Sequence, residues 1–300
     1  MRIAVTGTQG QVVRSLAERG AANGVEIVSF GRPEVDLSAP VALAKAIEDA
    51  QPDVVINAAA YTAVDRAESE PEAAMAVNAA GAGAVARAAA RIGRPIVQIS
   101  TDYVFDGRLT RPYREDDPVN PISVYGRTKL AGEYAVAAAN PRHVIVRTAW
   151  VYSPFGNNFV KTMLRLGETR DSVRVVADQL GAPTSALDIA DGLLLVAARL
   201  KERPEDIALH GTFHMTGSGE TNWADFAQAI FAEAAAHGRK PVNVEPITTA
   251  QYPTPAARPG NSRLDVRKIS QTYGVELPDW RTSVRSCVGR LLTETERPMA

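Results

Sequence analysis

The chain has 300 residues, a formal net charge of −1, 45% hydrophobic residues and 22% charged residues. This balance is typical of a packed globular protein and excludes the basic excess expected of a nucleic-acid-binding or membrane-surface protein. The single cysteine, Cys287, excludes an internal disulfide, and no stretch approaches the ~18 apolar residues of a membrane span. Because the first residues also lack the pattern of a signal peptide, we expect a soluble cytoplasmic protein.

The first half of the chain alternates short β-branched runs with longer alanine-rich segments. Strands are predicted at 2–5, 25–30, 53–57, 94–100 and 143–147, and helices at 11–20, 40–50, 71–91 and 125–139. Such alternation favours βαβ crossovers, in which helices cover both faces of a parallel sheet. The strands are apolar throughout, as expected when both faces are covered. The predicted fold class is α/β, with a doubly wound parallel sheet of the Rossmann type.

The rhythm of the elements changes after about residue 150. A loop is predicted at 153–158, helices at 159–167, 186–200 and 223–236, strands at 172–177 and 211–215, and a proline-rich loop at 246–262. We assign 1–150 to a dinucleotide-binding domain, to which 172–215 is expected to return. Segments 151–171 and 216–300 are expected to form a smaller α/β substrate-binding region.

A glycine loop, TGTQGQV at 6–12, directly follows the first predicted strand and opens the first helix. Gly7 allows a tight turn, Gly10 lets the backbone approach a pyrophosphate, and the helix N-terminus supplies amides. Val13 stands where the usual pattern has a third glycine, so the helix is expected to lie slightly further from the strand. The loop is predicted to bind a dinucleotide through Gly7, Gly10, Gln11 and Val12.

The residues after the second predicted strand bear on the choice of cofactor. An acidic residue there would bind the ribose 2′-hydroxyl of NAD, whereas an arginine can pair with the 2′-phosphate of NADP. The chain has Arg32 at this point, which favours NADPH, although NADH remains possible and a solvated arginine is the alternative. Asp36, followed by Leu37, is placed to meet the adenine or its ribose.

Tyr125 and Lys129 form a Tyr-x-x-x-Lys pair, YGRTK, at the start of a predicted helix. The spacing of four places both side chains on one helical face. A phenol has a pKa of ~10, and a nearby ammonium is expected to lower it and so favour proton exchange. The pair is common by itself. It becomes more specific with Thr101, whose hydroxyl ends the fourth predicted strand, and together the three residues predict a catalytic group.

Longer segments resemble the extended short-chain dehydrogenase/reductase superfamily and, within it, the dTDP-4-dehydrorhamnose reductase family. The resemblance thins only after about residue 270, and it is carried by NAAAYTAVDRAESEPEAAMAVN at 57–78, STDYVFDG at 100–107, PYREDDPVNPISVYGRTKLAGE at 112–133, RTAWVYSPFGNNFVKTM at 147–163, DQLGAPTSALDIA at 178–190 and YPTPAARPGNSRL at 252–264. It implies a Rossmann-type fold and an NADPH- or NADH-dependent reduction of dTDP-4-dehydro-β-L-rhamnose to dTDP-β-L-rhamnose.

The resemblance also implies roles for individual residues. Tyr125 would donate a proton to the C4 oxygen as hydride arrives from the nicotinamide. Lys129 would bind the nicotinamide ribose and hold the tyrosine pKa down, and Thr101 would hydrogen-bond the carbonyl oxygen. The cofactor would further be lined by Ala60, Tyr61 and Thr62.

Besides Thr101, three residues are implied to contact the substrate, and each has a structural alternative. Asp102 and Trp150 would contact the deoxysugar, but Asp102 could cap the turn after its strand. Trp150 could be a core aromatic residue. Arg258, in the proline-rich loop, is the candidate for the substrate pyrophosphate, and its alternative is a solvated arginine.

Two alternative functions stay open at this point. One is a non-catalytic nucleotide-binding subunit like the regulatory subunit of methionine adenosyltransferase; the other is a reductase of another nucleotide-linked 4-keto-6-deoxysugar. Dehydration is disfavoured, because Tyr103 stands where sugar-nucleotide 4,6-dehydratases typically carry a glutamate. His210 and His214 would lie ~13 Å apart on a strand, so no metal is predicted. The expected partner is a small nucleotide sugar, and a homodimer is possible.

Overall fold

The computed structural model describes residues 1–33, 35–36 and 40–295. In chain order its strands are β1 (Arg2–Thr6), β2 (Glu26–Phe30), β3 (Val54–Asn57), β4 (Ile96–Thr101), β5 (His143–Thr148), β6 (Val151–Tyr152), β7 (Ser172–Val176), β8 (Leu180–Gly181), β9 (Thr184–Ser185), β10 (Gly211–His214), β11 (Thr221–Asn222) and β12 (Asn243–Ile247). The central sheet has six parallel strands in the order β10-β5-β4-β3-β1-β2. This confirms the predicted α/β class with a Rossmann-type sheet.

The helices are α1 (Gln11–Ala22), α2 (Pro40–Ala50), α3 (Val64–Ala67), α4 (Pro71–Met75), α5 (Ala82–Arg91), α6 (Val124–Ala139), α7 (Phe159–Thr169), α8 (Ala186–Glu202), α9 (Trp223–Ala236), α10 (Arg267–Tyr273) and α11 (Trp280–Thr295). Helices α1 and α8 pack together over one face of the sheet, and α2, α5 and α6 cover the other. The apolar spacing of Leu43 and Ile47 in α2 illustrates why these segments are helical, since both residues are buried on one side.

One wide turn interrupts the long helix that was predicted at 71–91. Helix α4 continues through a π-helical segment, Ala76–Gly81, into α5. The wide turn brings the carbonyl oxygen of Asn78 against α6, where a Cβ atom on Gly132 would lie 2.1 Å from that oxygen. Only glycine fits at 132, and the two helices therefore approach closely beside the end of the sheet.

A second hydrophobic core lies among α7, α9, α11 and the parallel pair formed by β7 and β12. Strand β7 was expected to return to the central sheet with the rest of 172–215, but it pairs with β12 instead. The reason is visible in its alternating pattern, in which Val173 and Val175 are buried and their neighbours Ser172 and Arg174 are exposed. A strand with one apolar face suits a small surface sheet rather than a sheet that is covered on both faces.

Two further differences concern the C-terminal half of the chain. The part of the chain that returns to the central sheet consists of α8 and β10. It therefore begins near residue 186 and not at 172. The predicted loop at 246–262 is shorter, because Pro246 and Ile247 complete β12 and Thr249–Gln251 form a 3-10 turn. The division into two regions stays a proposal. Within the described ranges, no helix combines the length and apolar character needed to cross a membrane.

Candidate active site

A cavity of about 790 Å³ opens at the carboxyl ends of the central strands. It lies beside the point where the strand order reverses between β1 and β3, which is where open α/β sheets bind ligands. Its walls contain most of the residues that were singled out from the sequence: Gly7, Gly10, Gln11, Val12, Arg32, Asp36, Ala60, Thr62, Thr101, Asp102, Tyr125, Lys129 and Trp150. Tyr61 and Arg258 do not line the cavity, and Leu37 lies outside the described residues.

The glycine loop forms the floor of one end of this cavity. Gly7 has a φ of +97°, which side-chain-bearing residues rarely adopt, and its N–H donates to the Phe30 carbonyl oxygen at 2.8 Å. A Cβ atom on Gly31 would lie 3.2 Å from the Cα atom of Gly7, so a second glycine lets β2 approach the loop. The buried side chain of Val13 packs beneath the loop. Its predicted effect on the position of α1 stays a prediction.

Gln11 connects the glycine loop to the 153–158 segment of the second region. Its Oε1 atom accepts hydrogen bonds from Ser153 Oγ at 2.9 Å and from Asn158 Nδ2 at 3.0 Å. The neighbouring Phe155 ring lies under the guanidinium group of Arg14, with the Cζ atom 4.4 Å from the ring centroid. The sequence assigned Gln11 only to cofactor binding, and the structure adds this contact with a segment more than 140 positions away.

Helix α6 carries Tyr125 and Lys129 one turn apart on its buried side, with 9% and 4% of the two residues exposed. The helix begins at Val124 because the Ser123 side chain accepts a hydrogen bond from the Gly126 N–H at 3.1 Å. A Cβ atom on Gly126 would lie 2.2 Å from the Tyr103 carbonyl oxygen. Glycine at 126 therefore lets the first turn of α6 approach the chain that follows β4.

The electrostatics of Tyr125 differ from the sequence-based prediction. Burial raises the pKa of the phenol above its ordinary value, and the Asp102 carboxylate raises it further, against a smaller lowering by a hydrogen bond with Thr101. The predicted lowering by Lys129 is therefore wrong for this structure. The ammonium instead donates to the Ile99 carbonyl oxygen at 2.7 Å, and burial lowers the pKa of Lys129 to about 8.

Asp102 follows β4 and is 3% exposed. Burial raises the pKa of its carboxyl group to about 6, although hydrogen bonds with Ser262 and Thr101 partly offset this effect. Thr101 Oγ1 donates to Asp102 Oδ1 at 3.0 Å and accepts from the Tyr103 N–H at 3.2 Å. Thr101 thus caps the 3-10 turn at Asp102–Val104, and both Thr101 and Asp102 line the cavity.

Trp150 forms part of the cavity wall and is also packed as a core aromatic residue. Its indole stacks on Trp223 with ring centroids 3.7 Å apart and an interplanar angle of 15°. A Cβ atom on Gly181 would lie 2.4 Å from the indole, so the ring occupies space that only glycine leaves open. The backbone φ of Trp150 is +49°, an unfavourable value for a non-glycine residue that tertiary contacts must hold. The core-aromatic interpretation of this residue therefore applies, and its contact with a deoxysugar stays a prediction.

Two of the predicted contact residues do not line the cavity. Arg258 Nη2 donates to Asp65 Oδ2 at 2.8 Å, so Arg258 is a partly buried ion-pair member and not a solvated loop residue. Tyr61 donates its hydroxyl hydrogen to Glu70 Oε2 at 2.6 Å. Its backbone N–H donates to Asn78 Oδ1 at 2.8 Å. Asn78 lies in the π-helical turn and was not singled out from the sequence. Its side chain thus fixes the position of the chain that follows β3.

Comparison with known proteins shows which family the chain belongs to. The family model described as "RmlD substrate binding domain" matches residues 1–293. A dTDP-4-dehydrorhamnose reductase of Sinorhizobium fredii is 51% identical over 294 residues, which covers 98% of this chain and 99% of the relative. The Escherichia coli K12 protein of the same name is 42% identical over 301 residues, with 98% of this chain and 99% of the relative covered.

Solved structures with the same printed name superimpose along the whole fold. A dTDP-4-dehydrorhamnose reductase from Clostridium acetobutylicum has 42% identity and a TM-score of 0.89, with 97% of this chain and 99% of that chain covered. The Bacillus anthracis protein of that name, solved in complex with NADP, has 35% identity and a TM-score of 0.88, with coverage of 96% and 99%. The chain therefore belongs to the RmlD substrate-binding-domain family, which confirms its resemblance to the dTDP-4-dehydrorhamnose reductases.

Proposed function

We propose that this chain is an oxidoreductase that reduces the C4 ketone of dTDP-4-dehydro-β-L-rhamnose to dTDP-β-L-rhamnose with NADPH. The observation that carries the proposal is a single cavity that contains the glycine loop, Thr101, Tyr125 and Lys129. Relatives that match the chain over nearly their entire length are named for this reaction. A non-catalytic binding protein would not require a buried phenol, hydroxyl and ammonium group in the same cavity.

The end of the cavity at the glycine loop fits a dinucleotide. Gly7 and Gly10 line this end, and phosphate groups there would reach the backbone amides at the start of α1, where the helix dipole favours negative charge. Exposed Arg32 lines this end and could pair with a 2′-phosphate, while Asp36 could meet the adenine ribose. The NADP complex of the Bacillus anthracis relative supports this choice of cofactor. When bound, NADPH supplies the hydride.

Tyr125 is placed to supply the proton. Burial raises the pKa of its phenol, so the group carries its proton at neutral pH. The alkoxide that forms as hydride reaches C4 is a stronger base than a phenolate and would take that proton. Lys129, one helical turn away on the same face of α6, would bind the nicotinamide ribose. The hydroxyl of Thr101 would donate to the same ketone oxygen and would stabilise the charge that develops there.

The substrate residues are proposed from their positions around the same cavity. Asp102 and Trp150 line it beside Tyr125 and would contact the deoxysugar. For Arg258 to bind the substrate pyrophosphate, its guanidinium group would have to exchange the Asp65 carboxylate for phosphate oxygens. The loop that carries Arg258 is free of helix and strand between 252 and 260, which is compatible with such a rearrangement.

The direct test mixes the purified protein with NADPH or NADH and with dTDP-4-dehydro-β-L-rhamnose, made in place from dTDP-4-keto-6-deoxyglucose by its 3,5-epimerase. We expect the absorbance of the reduced nicotinamide to fall and NMR to identify dTDP-β-L-rhamnose as the product. Binding of nucleotide without oxidation of either cofactor would contradict the proposal and favour a regulatory nucleotide-binding subunit. A much higher kcat/KM on another 4-keto-6-deoxysugar would contradict the proposed substrate.

The cellular location and the assembly of the protein are also proposed. The single cysteine and the use of NADPH are compatible with a reducing cytoplasm, and we propose that location. We also propose a homodimer, which sedimentation equilibrium should detect as the mass of two chains. The mass of a single chain at micromolar concentration would contradict it.

A further inference from the structure

A buried ion pair lies directly behind the proposed reductase site. Glu133 follows Lys129 by four residues on α6, so Tyr125, Lys129 and Glu133 share one face of the helix. Arg147 of β5 donates from Nε to Glu133 Oε1 at 2.9 Å and from Nη2 to Oε2 at 2.7 Å. The two side chains are only 5% and 4% exposed, which makes this a bidentate pair removed from water.

The same carboxylate also holds the strand that carries Thr101. Ser100 Oγ donates to Glu133 Oε1 at 2.6 Å, while Lys129 donates to the carbonyl oxygen of Ile99 in the same strand. Ser100 is paired in register with Arg147 across β4 and β5. Helix α6 is therefore joined near the carboxyl ends of two neighbouring strands by three contacts, from Lys129 to Ile99 and from Glu133 to Ser100 and Arg147.

We propose that Glu133 is a positioning residue of this site, which fixes the face of α6 bearing Tyr125 and Lys129 against the ends of β4 and β5. The inference rests on the proposed function. A burial of two charges in this place is costly, and two apolar side chains of similar size would fill the space at no such cost. What the carboxylate provides instead is a negative charge beside Lys129 and directional hydrogen bonds to the strand that ends in Thr101.

The charged and titratable groups around Lys129 determine how removal of Glu133 should change the pKa of Lys129. They are Tyr125 and Glu133 on α6, Asp102 and Tyr103 after β4, and Arg147 on β5. Among them, the Glu133 carboxylate raises the pKa of Lys129 and partly offsets the effect of burial, which leaves that pKa at about 8. Without the carboxylate, the ammonium would lose its proton at a lower pH and would no longer be aligned by the pair.

Three variants separate positioning from a purely structural role. Glu133→Gln removes the charge and keeps the shape, although it leaves a buried guanidinium group unpaired and could unfold the protein. Glu133→Gln combined with Arg147→Met removes both charges and avoids that problem. Glu133→Asp keeps the negative charge and serves as the conservative control. Thermal melts establish which variants are folded.

The readout is the pH profile of kcat at saturating NADPH and sugar nucleotide, together with NADPH affinity from fluorescence titration across the same pH range. In both folded charge-removing variants we expect the alkaline limb of each profile to move down, by roughly one pH unit in Glu133→Gln and by less in the double variant, which also loses the positive charge of Arg147. At about pH 8 a shift of one unit corresponds to roughly a 5-fold loss of kcat, because fewer Lys129 groups stay charged. Glu133→Asp should keep the wild-type limb.

An alkaline limb that stays at the wild-type pH in the folded double variant would overturn the proposal, as would an equal shift in Glu133→Asp. Failure of Glu133→Gln to fold leaves the double variant to decide. If the wild-type protein binds NADPH but oxidises none, the proposed reduction fails. The pH profiles of NADPH binding then still decide whether Glu133 sets the protonation state of Lys129. A failure of the proposed reduction can therefore be distinguished from a failure of the proposed role of Glu133.

Discussion

Replacement of Asp102 by asparagine should stabilise the fold while it removes activity. The carboxyl group is 3% exposed, and it is held beside Tyr125 at the end of β4, where hydration cannot stabilise its charge. Asparagine has nearly the same shape and is neutral at every pH. It can still accept the hydrogen bond from Thr101.

The magnitude follows from the pKa of Asp102. Burial raises that pKa from the ordinary value of 3.8 to about 6. One pKa unit corresponds to ~1.4 kcal/mol, so above pH ~6 the charged carboxylate costs the fold about 3 kcal/mol. Because the folded state holds the proton more tightly than the unfolded chain, this cost decreases as the pH falls through ~6 and is gone below ~4. Asp102→Asn should therefore gain up to ~3 kcal/mol near pH 7 and almost nothing near pH 4.

Urea denaturation of both proteins at about pH 7 and about pH 4 measures this difference in the free energy of unfolding. Asp106→Asn is the matched control, for which the free energy of unfolding should change in the opposite direction. The Tyr113 hydroxyl donates to Asp106 and lowers the pKa of that carboxyl group. That control should lose stability near pH 7. A wild-type protein more stable than Asp102→Asn near pH 7, or a difference that is the same at both pH values, would refute the reasoning. The gain in stability should come with a loss of kcat/KM, as expected for a strained functional site.

Three further changes test other parts of the site. In steady-state assays, Tyr125→Phe should lower kcat roughly 10²–10⁴-fold with little change in NADPH affinity. Its control, Tyr152→Phe, removes a buried hydroxyl outside the cavity and should keep the wild-type kcat. Gln11→Ala should lower the free energy of unfolding by ~1–2 kcal/mol in urea, because two hydrogen bonds to the 153–158 segment are lost while their donors keep other acceptors. Arg32→Ala should raise KM for NADPH roughly tenfold and leave KM for NADH almost unchanged.

Each of these variants has an outcome that contradicts its premise. A Tyr125→Phe protein with most of the wild-type rate would exclude the phenol as proton donor. Unchanged stability of Gln11→Ala would mean that water replaces its contacts. An equal rise of both KM values in Arg32→Ala would show that the arginine does not distinguish the 2′-phosphate.

The central part of the site could be predicted from the sequence because its residues lie at the ends of strongly patterned elements. Gly7 and Thr101 end or follow apolar strands, and the carboxyl ends of parallel strands meet at one edge of a sheet. Tyr125 and Lys129 are one helical turn apart at the start of a helix, so their common direction follows from helix geometry alone. These local rules were sufficient to bring the four residues into one cavity.

Contacts between distant parts of the chain could not be predicted in the same way. Arg258 is paired with Asp65, 193 positions away, and Gln11 with Ser153, 142 positions away. Neither pairing has a periodic signal, because each depends on how a loop crosses the finished fold. The sign of the pKa change at Tyr125 was missed for a related reason, since it depends on how many apolar atoms surround the phenol and not on the spacing to Lys129.

The measurement that tests the account most directly follows a labelled hydrogen atom. NADPH that carries deuterium at the transferred position of the nicotinamide is mixed with the protein and dTDP-4-dehydro-β-L-rhamnose, and the product is examined by NMR. The account predicts deuterium at C4 of the rhamnosyl group, in an amount equal to the NADPH oxidised, and almost none with Tyr125→Phe. Oxidised cofactor without label at C4, or full labelling by the phenylalanine variant, would contradict it.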